Sequence, residues 1–179
     1  MTASRKTHLP ADSQGSDLQR IGVVSDTHNN VSNTARIVEL FNDAGVDAVV
    51  HTGDVTQPKT LDVLARLDAP LFGVWGNNDV ERKALEASVR KHRLNFCDGP
   101  LIVEWSSRRI IVIHDPEDLP PETRASANLV LHGHTHRCVM ERNGAGLVFN
   151  PGECAGHMKG RNAVGIVDLR TLRAELLHF

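Results

Sequence analysis

Residues 21–28 of the chain read IGVVSDTH, and this stretch decides the fold. Its first part, Ile21–Ser25, is a short apolar run bounded by polar residues, which predicts a buried strand. Asp26 and His28 follow two positions apart, so an extended backbone would place both side chains on one face. Two side chains of this kind on one face can share a metal ion.

Outward from this stretch, segments with strand and helix patterns alternate along the chain. Short apolar runs predict strands, and apolar residues at steps of three and four predict helices. The predicted helices are 31–42 (ended by Gly45), 58–67 and 80–92; the further strands are 47–50, 70–75, 101–105, 110–114, 129–132, 137–141, 147–150, 164–169 and 174–179. The first half therefore predicts βαβ units with a parallel sheet, and the second predicts hairpins with mostly antiparallel pairing. The fold class is α/β.

Length and composition restrict the class of protein. The chain has 179 residues and a formal net charge of −2, which fits one domain and argues against a protein that neutralises nucleic-acid backbones. No apolar run approaches the roughly 18–20 residues needed to cross a bilayer. The three cysteines lack zinc-type spacing and are odd in number, so a reducing compartment, the cytoplasm, is expected.

The N-terminal segment differs in composition from the rest. Residues 1–19 are polar and contain no apolar core of a signal peptide, so we predict a flexible tail followed by a single domain at 20–179. The domain is rich in histidine: the chain has ten histidines, against five phenylalanines, two tryptophans and no tyrosine. A stacking platform for single-stranded nucleic acid is therefore not expected.

Polar residues are concentrated where the predicted strands end. In open α/β sheets, ligand sites lie beyond the carboxyl ends of the strands, so these side chains are expected at one edge. The seven candidates for metal binding are Asp26, His28, Asp54, Asn77, His114, His134 and His136. Seven ligands are too many for one tetrahedral ion, so two ions fit better, and Asp54 is suited to bridge them. Two divalent ions, two aspartates and one hydroxide leave a charge of about +1, which suits a phosphate anion.

The set of four motifs is specific, although its individual members are not. Asp-x-His and Gly-Asp each arise about once by chance in a chain of this composition. Gly-Asn-x-Asp and Gly-His-x-His are expected far less than once, and all four must also fall at strand ends.

In this order the motifs resemble those of the calcineurin-like metallophosphoesterase superfamily. The phrases IGVVSDTH, DAVVHTGD, GVWGNND, VLHGHTH and FNPGE are similar to its small prokaryotic phosphodiesterase branch. The similarity runs from about Ile21 to the C terminus. It implies two mixed β-sheets packed as a sandwich and flanked by helices, with a dinuclear metal site at the C-terminal edge of the strands.

The resemblance also implies a role for each candidate ligand. The first ion would be held by Asp26, His28 and His136, and the second by Asn77, His114 and His134. Asp54 would bridge the two ions. A hydroxide between the ions would attack phosphorus in line. Two divalent ions are expected, with manganese first and nickel, iron, zinc, cobalt or magnesium as substitutes.

The chain departs from the family pattern after two of these residues. Larger phosphatases of the superfamily have a histidine directly after the metal-bound asparagine, where this chain has Asn78. An amide is not a general acid, so Asn78, our candidate catalytic residue beside Asp54, favours substrates with good leaving groups or protonation by metal-bound water. His114 is followed by Asp115-Pro116 where the family usually has glycine, so a different turn is expected there.

Several other polar residues near the motifs have less specific expected roles. Substrate contact is predicted for Asn77, His157 and Arg161, the last through its capacity to bind phosphate in a bidentate manner. Local hydrogen bonding is expected for His51, His132 and Asp79.

These observations favour a divalent-metal-dependent phosphoesterase, and a phosphodiesterase before a monoesterase. The expected partner is a small phosphoester; a membrane is excluded, nucleic acid is expected only as a phosphodiester substrate, and a homo-oligomer stays open. Two alternatives also stay open. One is a non-catalytic scaffold, since a retromer subunit has this fold. The other is a phosphomonoesterase, protein phosphatase or dinucleoside-polyphosphate phosphatase of the same superfamily.

Overall fold

The computed structural model describes residues 18–179. The chain forms eleven strands and four α-helices within this range: β1 Arg20–Val24, α1 Val31–Ala44, β2 Ala48–His51, α2 Pro58–Leu64, β3 Leu71–Val74, α3 Arg82–His92, β4 Asn95–Cys97, β5 Leu101–Trp105, β6 Arg108–Val112, α4 Pro121–Ala125, β7 Leu129–Leu131, β8 Val139–Asn143, β9 Gly146–Asn150, β10 Ala163–Asp168 and β11 Arg173–His178. A 3₁₀ helix at Pro116–Asp118 precedes α4.

The strands form two mixed sheets, as expected from the resemblance. The first has the order β11-β10-β1-β2-β3-β4, and the second has the order β5-β6-β7-β9-β8. In the first sheet β1 to β4 are parallel, and β10 and β11 are antiparallel additions at one side. The α/β assignment with two mixed sheets is confirmed.

One continuous apolar core lies between the two sheets. Ile21 and Val23 of β1 pack in the same cluster as Val112 and Leu131 of the second sheet, so the two sheets form a sandwich. The alternate residues of β1 face the helices instead, and Val24 packs in a cluster with side chains of α1 and α2. This alternation follows from the two-residue period of a strand.

Close packing of α1 on β1 explains one of the glycines. A Cβ atom at Gly22 would lie 2.7 Å from Cε1 of Phe41, closer than carbon atoms approach. The helix itself begins where the Asn30 side chain accepts the N–H of Asn33 (3.0 Å). It ends at Gly45, which has a φ of 58° and confirms the predicted stop.

The pairing predicted for the second half was incomplete. Strands β5 and β6, β8 and β9, and β10 and β11 are antiparallel, but β6, β7 and β9 are parallel neighbours. The connections into β7 and β9 pass through the 3₁₀ helix and α4, and through the antiparallel strand β8. The 3₁₀ helix, α4 and β4 were absent from the sequence interpretation because they are too short to show a full period of apolar residues, whereas β8 corresponds to the predicted strand 137–141.

The predicted boundaries differ from those of the structure by up to three residues. The β5–β6 turn comprises only Ser106 and Ser107, both with positive φ (49° and 58°), so β6 begins at Arg108 and not at residue 110. Helix α2 ends at Leu64, and not at residue 67 as predicted.

The N-terminal boundary is only partly visible in the described residues. Most of the predicted tail, 1–19, lies outside them, whereas Leu18 packs against the core. The backbone N–H of Gln19 donates to Asp47 Oδ2 (2.7 Å). Within residues 18–179, no helix has the length and apolarity required to cross a membrane.

Candidate metal centre

The C-terminal ends of strands from both sheets carry the seven predicted ligands. The parallel strands β1, β2 and β3 lead into residues 26–28, 54 and 77, and β6 and β7 lead into residues 114 and 134–136. Positive φ angles of 45–66° occur at Asp26, His28, Asp54, His134 and His136. Such angles are uncommon outside glycine and are tolerated best by Asp, Asn and His. The backbone turns sharply at each of these strand ends, and strained residues of this kind cluster at functional sites.

Four of the predicted ligands form a first group. One donor atom each from Asp26, His28, Asp54 and His136 lies within 4.8 Å of the others. Oδ1 of Asp26 is 3.4 Å from Nε2 of His136, and Nε2 of His28 is 3.9 Å from Oδ2 of Asp54. Both carboxylates are almost completely buried.

The remaining three residues form a second group around the side-chain oxygen of Asn77. This Oδ1 is 2.9 Å from Nε2 of His114 and 3.0 Å from Nδ1 of His134. Nε2 of His114 is also 3.5 Å from Oδ2 of Asp54, the same oxygen that faces His28. Asp54 therefore lies between the two groups, as a bridging carboxylate would.

The donor atoms fit divalent metal ions. Oδ1 of Asp26 and Nε2 of His28 are buried and have no hydrogen-bond partner. Burial raises the pKa of Asp26 and lowers that of His28, so the negative charge of the carboxylate is poorly compensated and the imidazole retains a lone pair. A buried polar atom without a partner is costly, and a cation between these two would satisfy both.

The hydrogen bond of His114 leads to the same conclusion. Its Nδ1 lies 2.9 Å from the carbonyl oxygen of Thr52, which can only accept, so Nδ1 carries the proton. In the neutral ring Nε2 then has only a lone pair, yet it faces the oxygens of Asn77 and Asp54. Nε2 of His114 and the oxygens of Asn77 and Asp54 are thus three acceptors that face one another. A cation shared by the three would require this arrangement. Donor separations of about 3 Å follow from bonds of about 2.0–2.2 Å to one ion.

The glycines of the sequence motifs allow these close approaches. A Cβ atom at Gly53 would lie 2.5 Å from Nδ1 of His114, and one at Gly76 would lie 2.5 Å from the backbone nitrogen of Asp54. At Gly133 it would overlap Oγ of Ser25 and lie 2.9 Å from Oδ2 of Asp26. No larger residue fits at these positions without displacing a predicted ligand.

Asp79 holds two of the strand ends together, as its predicted turn role suggested. Its carboxylate accepts the backbone N–H groups of Gly76 (2.7 Å), Thr56 (2.6 Å) and Asp54 (3.1 Å). The prediction of local hydrogen bonding is confirmed, and the bonds also extend to the loop that carries Asp54.

His51, at the end of β2, lies beneath the site and is fully buried. Burial lowers the pKa of its imidazole from 6.5 to about 3. Nδ1 accepts the N–H of Gly53 (3.1 Å), so the neutral ring carries its proton on Nε2, which donates to Oγ1 of Thr27 (2.9 Å). A second proton on Nδ1 would place a donor against a donor.

In the metal-free protein, the free energy of unfolding is therefore expected to fall as the pH drops from 6.5 toward 3. The unfolded chain takes up a proton at His51 in this range and the folded chain resists it, which costs up to about 1.4 kcal/mol per pH unit. Urea unfolding in a chelator at a series of pH values measures the slope. His51→Gln, which does not titrate, should flatten it, and an unchanged slope would show that other groups cause the dependence.

Comparison with known proteins agrees with the geometry. Residues 20–172 match the model of the calcineurin-like phosphoesterase superfamily domain. The chain belongs to this family. Phosphodiesterase MJ0936 of Methanocaldococcus jannaschii is 33% identical over 153 residues, which cover 83% of this chain and 92% of the relative. Phosphodiesterase YfcE of Escherichia coli is 27% identical over 150 residues, 75% of this chain and 79% of the relative.

A solved structure is similar over nearly its whole length. The structure of an archaeal phosphodiesterase superposes with a TM-score of 0.81 at 30% identity, covering 89% of this chain and 99% of that chain. The suspected resemblance to the calcineurin-like phosphoesterases is confirmed.

Asn78 replaces the histidine that larger members of this family carry, and the structure shows what its amide contacts. Its backbone N–H donates to Oδ1 of Asp54 (2.9 Å), and its side-chain Nδ2 donates to Oδ2 (2.7 Å). Both carboxylate oxygens thus accept hydrogen bonds from one residue, which orients Asp54. In these contacts Asn78 positions the Asp54 carboxylate, and its role in catalysis stays a prediction.

Asp115, the second departure from the family pattern, contacts a predicted ligand. Its Oδ1 accepts the N–H of Glu117 (2.9 Å) and caps the 3₁₀ helix, which is the different turn that the sequence suggested. Its Oδ2 lies 3.5 Å from Nε2 of His134. This pair was not predicted from the sequence. A carboxylate at Nε2 favours the ring orientation that turns Nδ1 toward Asn77.

The three remaining histidine and arginine predictions have different outcomes. His157 lies beside His28 and His136, with ring centroids 5.2 and 5.6 Å away. Arg161 is exposed, and among residues 18–179 its side chain forms no hydrogen bond or ion pair with the seven ligands. His132 is buried with Nδ1 3.2 Å from the carbonyl of Gly133, which confirms a local hydrogen bond.

Proposed function

We propose that this member of the calcineurin-like phosphoesterases is a divalent-metal-dependent phosphodiesterase. The observation that carries the proposal is the two groups of donor atoms that share one oxygen of Asp54. Relatives named phosphodiesterase, one of them aligned over 92% of its own length, support the same activity.

Two divalent ions are proposed for the two groups. Asp26, His28 and His136 would hold the first, Asn77, His114 and His134 the second, and Asp54 both. The family resemblance puts manganese first, with nickel, iron, zinc, cobalt or magnesium as substitutes; the donors include no thiolate and so do not call for a purely thiophilic ion. When bound, such ions polarise a phosphoryl oxygen and make water a stronger nucleophile near neutral pH.

The residues of the chain itself orient these parts and set their charge. Asn78 orients the carboxylate of Asp54 through two hydrogen bonds. Buried Asp26 forms the inner side of the site, whereas Asn77 and His134 are exposed and leave the outer side open to a phosphoester. Substrate therefore approaches from the side of Asn77 and His134.

The charge around the site favours a diester over a monoester. In the part of the chain that the structure describes, the ion pairs of the seven ligands involve only histidine and aspartate, and no lysine or arginine. A phosphodiester carries one negative charge and a monoester carries up to two, so the diester requires less compensation. Asn78 adds a neutral amide where a protonated histidine would add positive charge.

A scaffold without catalysis is the alternative that the fold alone would allow. All seven predicted donor residues are present, and buried atoms of Asp26 and His28 have no hydrogen-bond partner. Both observations favour a metal site over a sheet edge that has only a structural role. For localisation, the cytoplasm is our proposal, and it rests on three cysteines that are all unpaired.

Hydrolysis of three chromogenic or nucleotide substrates tests the proposal. With manganese added to chelator-treated protein, we expect turnover of bis(p-nitrophenyl) phosphate to exceed that of p-nitrophenyl phosphate and of a dinucleoside polyphosphate. Faster hydrolysis of the monoester would favour a phosphomonoesterase. Tight metal binding without turnover of any substrate would favour the scaffold.

A further inference from the structure

His157 lies on the loop between β9 and β10, and buried contacts fix the backbone of this loop. Glu153 of this loop is fully buried, and its carboxylate accepts the backbone N–H of Met158 (2.8 Å) and of His157 (3.3 Å). Asn30 and Asn33, at the start of α1, donate to the carbonyls of residues 155 and 154 (2.8 Å each). The loop is thereby attached to the segment that follows His28.

The result is a triangle of imidazole rings beside the first group of donors. Ring centroids are separated by 5.4 Å between His28 and His136, 5.2 Å between His28 and His157, and 5.6 Å between His136 and His157. One ring nitrogen from each of the three lies within 4.8 Å of the others. His28 and His136 thus belong to two overlapping donor groups, one completed by carboxylates and the other by His157.

We propose that His157 is a further ligand of the cation held by His28 and His136. This inference rests on the proposed metal centre and adds a donor that the four sequence motifs do not contain. His157 is exposed, so the ring can move the short distance that coordination requires. A third imidazole favours borderline ions such as cobalt and zinc over magnesium, which prefers oxygen donors.

A structural role for His157 without metal would leave a different signature. Stacking of His157 on His136 at an interplanar angle of 7° could stabilise the loop alone. In that case removal of the imidazole would change the stability of the metal-free protein and not its metal affinity. Contact with substrate, the role predicted from the sequence, would change KM.

Cobalt binding to metal-free protein separates these roles. We expect His157→Ala to weaken cobalt binding by about tenfold or more in calorimetry, since loss of even an outer-shell partner costs about 10- to 100-fold. The proton spectrum of the cobalt protein should lose one hyperfine-shifted imidazole N–H resonance. His178→Ala, at an exposed histidine of β11, is the matched control and should change neither quantity.

A second variant tests the contribution of the loop. Glu153→Gln keeps the shape of the side chain but turns an amide NH₂ toward one of the two backbone N–H groups. It should weaken cobalt binding in the same direction as His157→Ala, with magnesium affinity affected less in both variants.

Three outcomes would overturn the inference, and they are distinguishable. Unchanged cobalt affinity and spectrum in His157→Ala would overturn it while leaving the proposed metal centre intact. A raised KM with unchanged cobalt affinity would make His157 a substrate contact. Failure of the wild-type protein to bind cobalt would overturn both this inference and the proposed function.

Discussion

Replacing Asp54 by asparagine is expected to lower kcat for a phosphodiester by at least about a thousandfold. Asp54 has an oxygen near both donor groups: its Oδ2 is 3.9 Å from Nε2 of His28 and 3.5 Å from Nε2 of His114. The substitution keeps the size of the side chain and removes the charge. Loss of Lewis-acid assistance is worth several kcal/mol at the transition state, which corresponds to this factor.

The local structure predicts a second consequence of Asp54→Asn. Asn78 donates to both oxygens of Asp54, so an amide NH₂ at one of these positions would face a donor. Metal affinity should therefore fall together with kcat. Asp62→Asn is the matched control, because the Asp62 carboxylate accepts hydrogen bonds from α3 side chains, His92 (2.6 Å) and Lys91 (3.1 Å), away from the seven ligands. Activity within tenfold of wild type in Asp54→Asn would exclude a bridging role.

Asn77→Ala is expected to remove one of two metal ions per chain and to lower kcat by about 10²- to 10³-fold. The Asn77 oxygen is within 3.0 Å of donor atoms of both His114 and His134, so its loss leaves these imidazoles without their shared third donor. The first group contains no atom of Asn77 and should keep its ion. Elemental analysis after gel filtration measures the ratio of metal to protein.

Asn143→Ala, in the β8–β9 hairpin, is the matched control for this experiment. It should retain both ions and wild-type activity. If Asn77→Ala kept two ions and lost only activity, Asn77 would contact substrate and would not ligate metal. If the variant lost both ions, the two groups would not bind independently.

Much of the fold could be predicted because its strongest signals are local. The strand before Asp26 and the helix ended by Gly45 each follow from a few consecutive residues, and both are present. Parallel pairing of β6, β7 and β9 was missed because pairing depends on contacts between distant segments. Short elements such as β4 have no periodicity to detect.

For the candidate site, the donor residues could be predicted from the sequence, but the contacts that orient them could not. Seven donors at strand ends could be located, because a sheet brings the carboxyl ends of parallel strands to one edge. Asp115 was missed as a partner of His134, since only the turn geometry brings its Oδ2 within 3.5 Å. Glu153 ends the FNPGE phrase but was given no role from the sequence, because it bonds backbone groups of its own loop.

Titration of chelator-treated protein with manganese tests the central claim most directly. Turnover of bis(p-nitrophenyl) phosphate and bound metal are measured on the same samples. We predict no turnover without metal, and activity that reaches its maximum as the ratio of metal to protein approaches two. Turnover in the metal-free protein, or full activity with one bound ion, would contradict a site in which Asp54 joins two metal ions.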